Sequence, residues 1–260
     1  MVKLAVAGGK GRMGSLIARL ALEDKDFKLI GLTERPDSKE IGREFEKGVR
    51  FYSSIKEMEE KPQVVIDFTT PQGTLSLLKE AVELKVPLVI GTTGFEKEEL
   101  KEIEKASREV PIVFSPNMSL GVNLLFKLVS EVSKALKDKG YDVEIFEIHH
   151  RFKKDAPSGT AVKLAQIVAE NLGKELEEVG VFGRKGITGE RKPEEIGILS
   201  ARMGDVVGEH TVFFATLGER LELTHRATSR ETFARGALTA AKWVVDKEPG
   251  LYNMFDVLGI

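Results

Sequence analysis

The 260-residue chain contains no cysteine. That excludes disulfides, thiolate metal sites, cysteine-ligated iron–sulfur clusters and cysteine nucleophiles, so any chemistry must use nitrogen and oxygen groups. An excess of charge of either sign is also missing. The 39 Lys and Arg against 41 Asp and Glu leave a formal net charge of -2, with no general attraction to nucleic acid or to an anionic membrane. No apolar run approaches the roughly 18 residues of a bilayer-spanning helix. The strand-like KLAVAGG begins at Lys3, with no charged and then apolar leader ahead of it. A cytoplasmic protein without nucleic-acid or membrane partners is therefore expected. Histidine is scarce at four residues, and with no HExxH motif or carboxylate cluster no metal site is expected.

Apolar residues at 42% and charged residues at 31% describe a globular protein with a heavily ionised surface, long enough for two domains. In the first half, short apolar runs (VKLAVA, FKLIGLTE, PQVVIDF, PLVIG, VPIVFS) alternate with segments of helical periodicity. In GRMGSLIARLALE, for example, Met13, Leu16, Ile17, Leu20 and Ala21 form one apolar stripe. Strands alternating with helices predict βαβ units and a parallel sheet covered on both faces. After SPNMSLGVN the texture changes. A helix over 119–137 leads to the alternating DVEIFEIHH, then to the helix SGTAVKLAQIVAENLG and a series of glycine-separated strands ending at THRA. The last amphipathic segment, SRETFARGALTAAKWVVD, returns to the character of the first half. The expected fold is α/β: a Rossmann-type doubly wound parallel sheet, residues 1–118 and 229–260, with an inserted α+β domain of mostly antiparallel sheet, residues 119–228.

Gly8, Gly11 and Gly14 follow the first strand and open the first helix. Glycine suits that place because the turn needs positive φ and a diphosphate must approach the main chain without meeting a Cβ. The helix N-terminus adds free N–H groups and a positive dipole end. The spacing is GxxGxxG, less specific alone than GxGxxG. Glu34, twenty residues after Gly14, ends the second strand where ribose hydroxyls need an acceptor. Arg35 beside it suits a 2′-phosphate, so NADH or NADPH is the expected cofactor. DFTTP at 67–71 and GTTG at 91–94 lie at carboxyl strand ends, the edge that forms the ligand crevice in such sheets.

Residues 147–161, EIHHRFKKDAPSGTA, concentrate polar groups. Hydride delivered to an unsaturated carbon leaves charge that must be protonated, and His149 and Lys153 are candidates for the acid. Ser158 is placed to cap the following helix, while the Gly159 and Thr160 amides can cradle an anion. His150 and Lys153 add positive charge for the same or a second carboxylate, and together the residues suit a small multi-anionic substrate, a dicarboxylate being the expected partner. Asp155 reads as a loop-ordering residue. His210 and His225 lie in later strands and give no comparable signal.

In order along the whole chain, VAGGKGRMG, DFTTPQGT, GTTGF, SPNMSLGVN, EIHHRFKKDAPSGTA and GERLELTHRATSRETFARGAL resemble the 4-hydroxy-tetrahydrodipicolinate reductase family. The resemblance implies an NADH- or NADPH-dependent reductase of the diaminopimelate and lysine pathway, and a homotetramer built through the second domain's sheet. It implies His149 as the acid/base residue, Lys153 as proton donor, and His150, Gly159 and Thr160 as substrate contacts. On the cofactor side it implies Gly8, Gly9, Lys10, Gly11, Arg12 and Met13 as the phosphate loop, with Glu34 and Arg35 at the ribose. Gly91, Thr92 and Thr93 would lie beside the nicotinamide, with Ser115, Pro116, Asn117 and Met118 on the hinge side. Met118 stands where some relatives carry Phe. By the residues alone, a dehydrogenase of another small amino-acid-like carboxylate and a non-catalytic NAD(H)-sensing protein stay open.

Overall fold

A computed structural model describes all 260 residues. The chain divides into two compact units, Met1–Leu120 with Glu231–Ile260, and Gly121–Arg230. The strands are β1 Val2–Ala7, β2 Phe27–Thr33, β3 Phe51–Tyr52, β4 Val64–Asp67, β5 Leu88–Ile90, β6 Pro111–Phe114, β7 Asp142–His149, β8 Gly180–Val181, β9 Ile196–Arg202, β10 Gly208–Thr216, β11 Glu219–Ala227 and β12 Gly250–Tyr252. The helices are α1 Arg12–Glu23, α2 Pro71–Leu84, α3 Lys97–Ser107, α4 Leu120–Leu136, α5 Gly159–Leu172, α6 Leu176–Val179, α7 Glu231–Val244 and α8 Met254–Leu258.

In the first unit seven strands pair in the order β12-β6-β5-β4-β1-β2-β3, every pair parallel. This is the doubly wound order, which reverses direction at β1 and β4. Alternation along β1 divides the core. Leu4 and Val6 pack with α1 and α7, whereas Ala5 and Ala7 face the side held by Leu77, Leu78 and Ala81 of α2 and Ile103 of α3. Small residues on α7, Ala234, Ala237, Ala240 and Ala241, are fully buried and let that helix approach β4 and β5. The strand ends lie level, with Ala7 opposite Asp67, Asp67 opposite Ile90, and Ile90 opposite Phe114. The loops after β1, β4, β5 and β6 therefore leave the sheet along one edge. β3 and β12, two and three residues long, are additions that the sequence pattern did not reveal.

The second unit holds a five-stranded sheet, β11-β10-β7-β9-β8. β10 runs antiparallel to both β7 and β11 along its length. β7 and β9 are parallel, as are β8 and β9. The sheet is therefore mixed, its two longest neighbour pairings at β10 being antiparallel. The parallel part follows from the crossover through α5, which returns the chain to the same edge before β9 begins. α5 buries Ala161, Leu164, Ala165 and Val168 against β7, β9 and β10.

Candidate active site

At the edge of the first unit, Gly8 takes φ +68° and its carbonyl accepts the Gly11 N–H at 2.8 Å. A Cβ on Gly14 would lie 2.1 Å from that carbonyl oxygen, so glycine there lets α1 begin directly against the turn. Gly11 caps α1 without any side-chain hydrogen bond, leaving first-turn amides open to an anion. Lys10, Gly11 and Arg12 are exposed, and Gly9 and Met13 are more enclosed. Glu34, one residue beyond β2, accepts the Lys10 amide at 2.8 Å, joining this carboxylate to the glycine loop. Arg35 is exposed and lies 3.7 Å from Asp37. These features fit a dinucleotide: a cradle that a Cβ would fill, a helix start and an adjacent carboxylate.

Asp67, fully buried at the end of β4, shapes the next loop. Its carboxylate accepts the Thr69 amide and hydroxyl at 2.9 and 2.6 Å and the Thr74 hydroxyl at 2.5 Å. Burial raises its pKa, and the threonine hydrogen bonds oppose that rise. Its backbone carbonyl accepts the Gly91 amide at 2.8 Å, tying the Gly91-Thr92-Thr93 loop to the same edge. Thr92 is buried and Thr93 exposed. The Ser115 hydroxyl donates to the Asn117 carbonyl at 2.8 Å, and the Asn117 side chain accepts the Ser119 amide at 2.9 Å. Pro116 is exposed, while Met118 is a core residue with its side chain packed in the α1/α7 cluster.

The second unit gathers the remaining candidates at the carboxyl end of β7. Val143, Ile145, Glu147 and His149 alternate onto one side, and the first three are buried. Glu147 is fully buried and hydrogen-bonded on both oxygens. The Arg202 guanidinium grips both oxygens at 2.8 Å each, the Ser158 amide reaches Oε1 at 3.1 Å, and His149 Nδ1 lies 2.6 Å from Oε2. Burial raises the Glu147 pKa, but His149 and Arg202 outweigh it and hold the carboxyl well below its ordinary range. Arg202 also donates to the Asp155 carbonyl at 2.7 Å, and the Asp155 carboxylate pairs with Lys153 at 3.0 Å. His150 stands just past the strand with Nδ1 buried and no partner. Ser158 caps α5, accepting the Ala161 amide at 3.3 Å. A Cβ on Gly159 would meet nothing within 4 Å.

His149, Lys153 and Ser158 thus share one cluster, and Gly159 and Thr160 open the helix beside it. Three members were not singled out from sequence. Glu147 is two residues from His149 in a strand, and that spacing was a usable signal. Arg202 is brought opposite His149 by the parallel β7–β9 register. His210, opposite Glu147 on β10, lies with its ring 5.2 Å from that of His149 and Nε2 3.0 Å from the Ser158 hydroxyl. Burial and the neighbouring His149 charge push its pKa down to about 3.

Comparison with known proteins supports both units. A family model described as dihydrodipicolinate reductase, N-terminus, matches residues 2–118, and its C-terminal counterpart matches residues 121–258. The 4-hydroxy-tetrahydrodipicolinate reductase of Syntrophus aciditrophicus is 51% identical over 266 residues, covering 100% of this chain and 99% of the relative. That of Aquifex aeolicus is 52% identical over 267 residues, with the same coverage. Among solved structures, the dipicolinate-bound dihydrodipicolinate reductase of Paenisporosarcina sp. TG-14 superposes with a TM-score of 0.79 at 24% identity over 98% of both chains. A probable dehydrogenase of Thermotoga maritima shares the fold with a TM-score of 0.60 at 14% identity, over 98% of this chain and 92% of its own. The ordered match of both domain models and the full-length identity to these relatives place the chain in the dihydrodipicolinate reductase family, oxidoreductases of lysine and diaminopimelate biosynthesis that use a nicotinamide cofactor.

Proposed function

We propose that the chain reduces 4-hydroxy-tetrahydrodipicolinate to tetrahydrodipicolinate with loss of water through the residues of these two clusters. The observation that carries the assignment of roles is the buried Glu147–His149 pair at 2.6 Å beside a helix start whose Gly159 has open space above it. The first unit, Met1–Leu120 with Glu231–Ile260, binds NADH or NADPH, with Gly8 to Met13 on the diphosphate, Glu34 on the ribose, and Arg35 on a 2′-phosphate when one is present. Gly91, Thr92 and Thr93 and the segment Ser115 to Met118 border the nicotinamide half, Met118 by its backbone because its side chain is in the core. The bound nicotinamide supplies hydride to C4 of the substrate.

The second unit, Gly121–Arg230, anchors the substrate's carboxylates on the Gly159 and Thr160 amides with His150, and provides the proton from the His149 and Lys153 site. Dipicolinate, bound to the Paenisporosarcina protein, is a planar dicarboxylate of the type this cradle suits. We also propose a homotetramer formed through the sheet of this unit. Leu199, exposed, and Phe146 and Phe213, partly exposed, lie on the face opposite α5, and β11 is an edge strand. General acid–base groups contribute ~10²–10⁴ in rate. His149→Ala and Lys153→Ala are each expected to lower kcat by about that range while NADH affinity stays unchanged. Near-normal turnover in both variants would remove the assigned roles.

A further inference from the structure

We infer that Glu147 is a positioning residue that sets the tautomer of His149 and, through the Ser158 amide, ties that imidazole to the substrate cradle. This rests on the reading above, in which His149 works on the proton and the start of α5 holds a carboxylate.

The geometry has two halves. Oε2 of Glu147 faces His149 Nδ1 at 2.6 Å and Oε1 faces the Ser158 N–H at 3.1 Å. The Arg202 fork holds both oxygens in place at 2.8 Å. Glu147 has no solvent exposure, so this carboxylate depends on protein donors, to which the Ser200 side chain adds another. An ionised carboxylate can only accept, so Nδ1 of His149 must carry a proton. In the neutral ring Nε2 is then the basic nitrogen, and it is the one that gains and loses the exchangeable proton. Gly208 makes room for it, since a Cβ there would lie 2.9 Å from Nε2. A carboxylate on one ring nitrogen also raises the basicity of the other, as it does for metal-ligating histidines.

The Ser158 contact extends the same carboxylate to the cradle. Ser158 immediately precedes Gly159 and Thr160, and its hydroxyl accepts the Ala161 amide while meeting His210 Nε2. Fixing its amide on Glu147 therefore fixes the direction in which the first amides of α5 point. The charged or titratable groups packed around His149 are Glu147 from β7, Arg202 from β9 and His210 from β10, while Lys153 of the following loop, paired with Asp155, acts electrostatically on His210. Glu147 is the acceptor among them, and Arg202 serves it rather than the imidazole.

The test uses the full-length protein. In the wild type, ¹⁵N–¹H correlation of the neutral His149 ring is expected to show the Nδ1–H tautomer. An Nε2–H tautomer overturns the inference without any variant having to fold. In Glu147→Gln, the same correlation is expected to show the neutral His149 ring moving away from the Nδ1–H tautomer. The variant is also expected to lose at least tenfold in kcat and at least fivefold in affinity for dipicolinate, with NADH affinity within twofold of wild type. An unchanged His149 tautomer together with unchanged dipicolinate affinity refutes the positioning role. Glu147→Asp, one methylene shorter, is expected to retain more of the Nδ1–H tautomer than Glu147→Gln, and an equal loss argues against a charge effect. If the wild type bound dipicolinate with the Nδ1–H tautomer but failed to oxidise NADH with the substrate, the reaction assignment would fail and the positioning role would survive.

Discussion

His210 shows how one buried residue converts position into pH dependence. Burial first, and the His149 charge second, depress its folded-state pKa from 6.5 to about 3. Between those values the unfolded chain binds a proton that the folded chain refuses, so stability falls as pH drops from about 6.5 towards 3. Glu147, whose pKa is held low in the fold, adds a loss in the same direction below the ordinary carboxylate range. Urea unfolding at pH 7 and pH 5 is expected to show a lower midpoint at pH 5, and His210→Gln should flatten that difference. A difference of the same size in the variant would contradict the assignment. At the other cluster, Arg35 is exposed and only loosely paired, 3.7 Å from Asp37, which leaves its guanidinium available to a phosphate. Arg35→Ala is expected to weaken NADPH more than NADH in fluorescence titration, and equal losses would reject the 2′-phosphate contact.

At the scale of elements, two glycines at helix starts make opposite predictions. Gly14 is required by the fold, because its Cβ would come within 2.1 Å of the Gly8 carbonyl oxygen. Gly14→Ala should lower Tm and NADH affinity together. Gly159 has nothing within 4 Å of a Cβ, so Gly159→Ala should leave Tm and NADH affinity unchanged and raise the substrate KM several-fold. A Gly159→Ala variant with normal KM would show that no ligand approaches α5 there. The elements around both glycines were legible beforehand, since β1, α1, β7 and α5 have strong periodicity and short polar boundaries. β3 and β12 were not, because two or three residues make no pattern and their pairing depends on neighbours far along the chain. The same limit applied to the site. His149 and Lys153 declare themselves in one stretch of fifteen residues, and Glu147 was within reach of the period-two rule. Arg202 and His210 enter only through strand register across more than fifty residues, which composition and spacing do not encode. The mixed pairing of the second sheet was hidden for that reason too.

The whole molecule divides its chemistry between two separately built units. One has a doubly wound sheet whose level strand ends and glycine turn suit a dinucleotide. The other has a mixed sheet whose central strand ends in the Glu147–His149 pair beside the start of α5. Either alone is insufficient for a reduction that needs hydride, an anchored acceptor and a proton, and this requirement argues against a protein that only senses NAD(H). No helix is long and apolar enough to cross a membrane. The most direct measurement is the absorbance of NADH at 340 nm when freshly made 4-hydroxy-tetrahydrodipicolinate is added to the wild-type protein. One NADH consumed per substrate, with the rate collapsing in His149→Ala, is the expected result. A folded, NADH-binding protein that consumes none would contradict the proposed reaction.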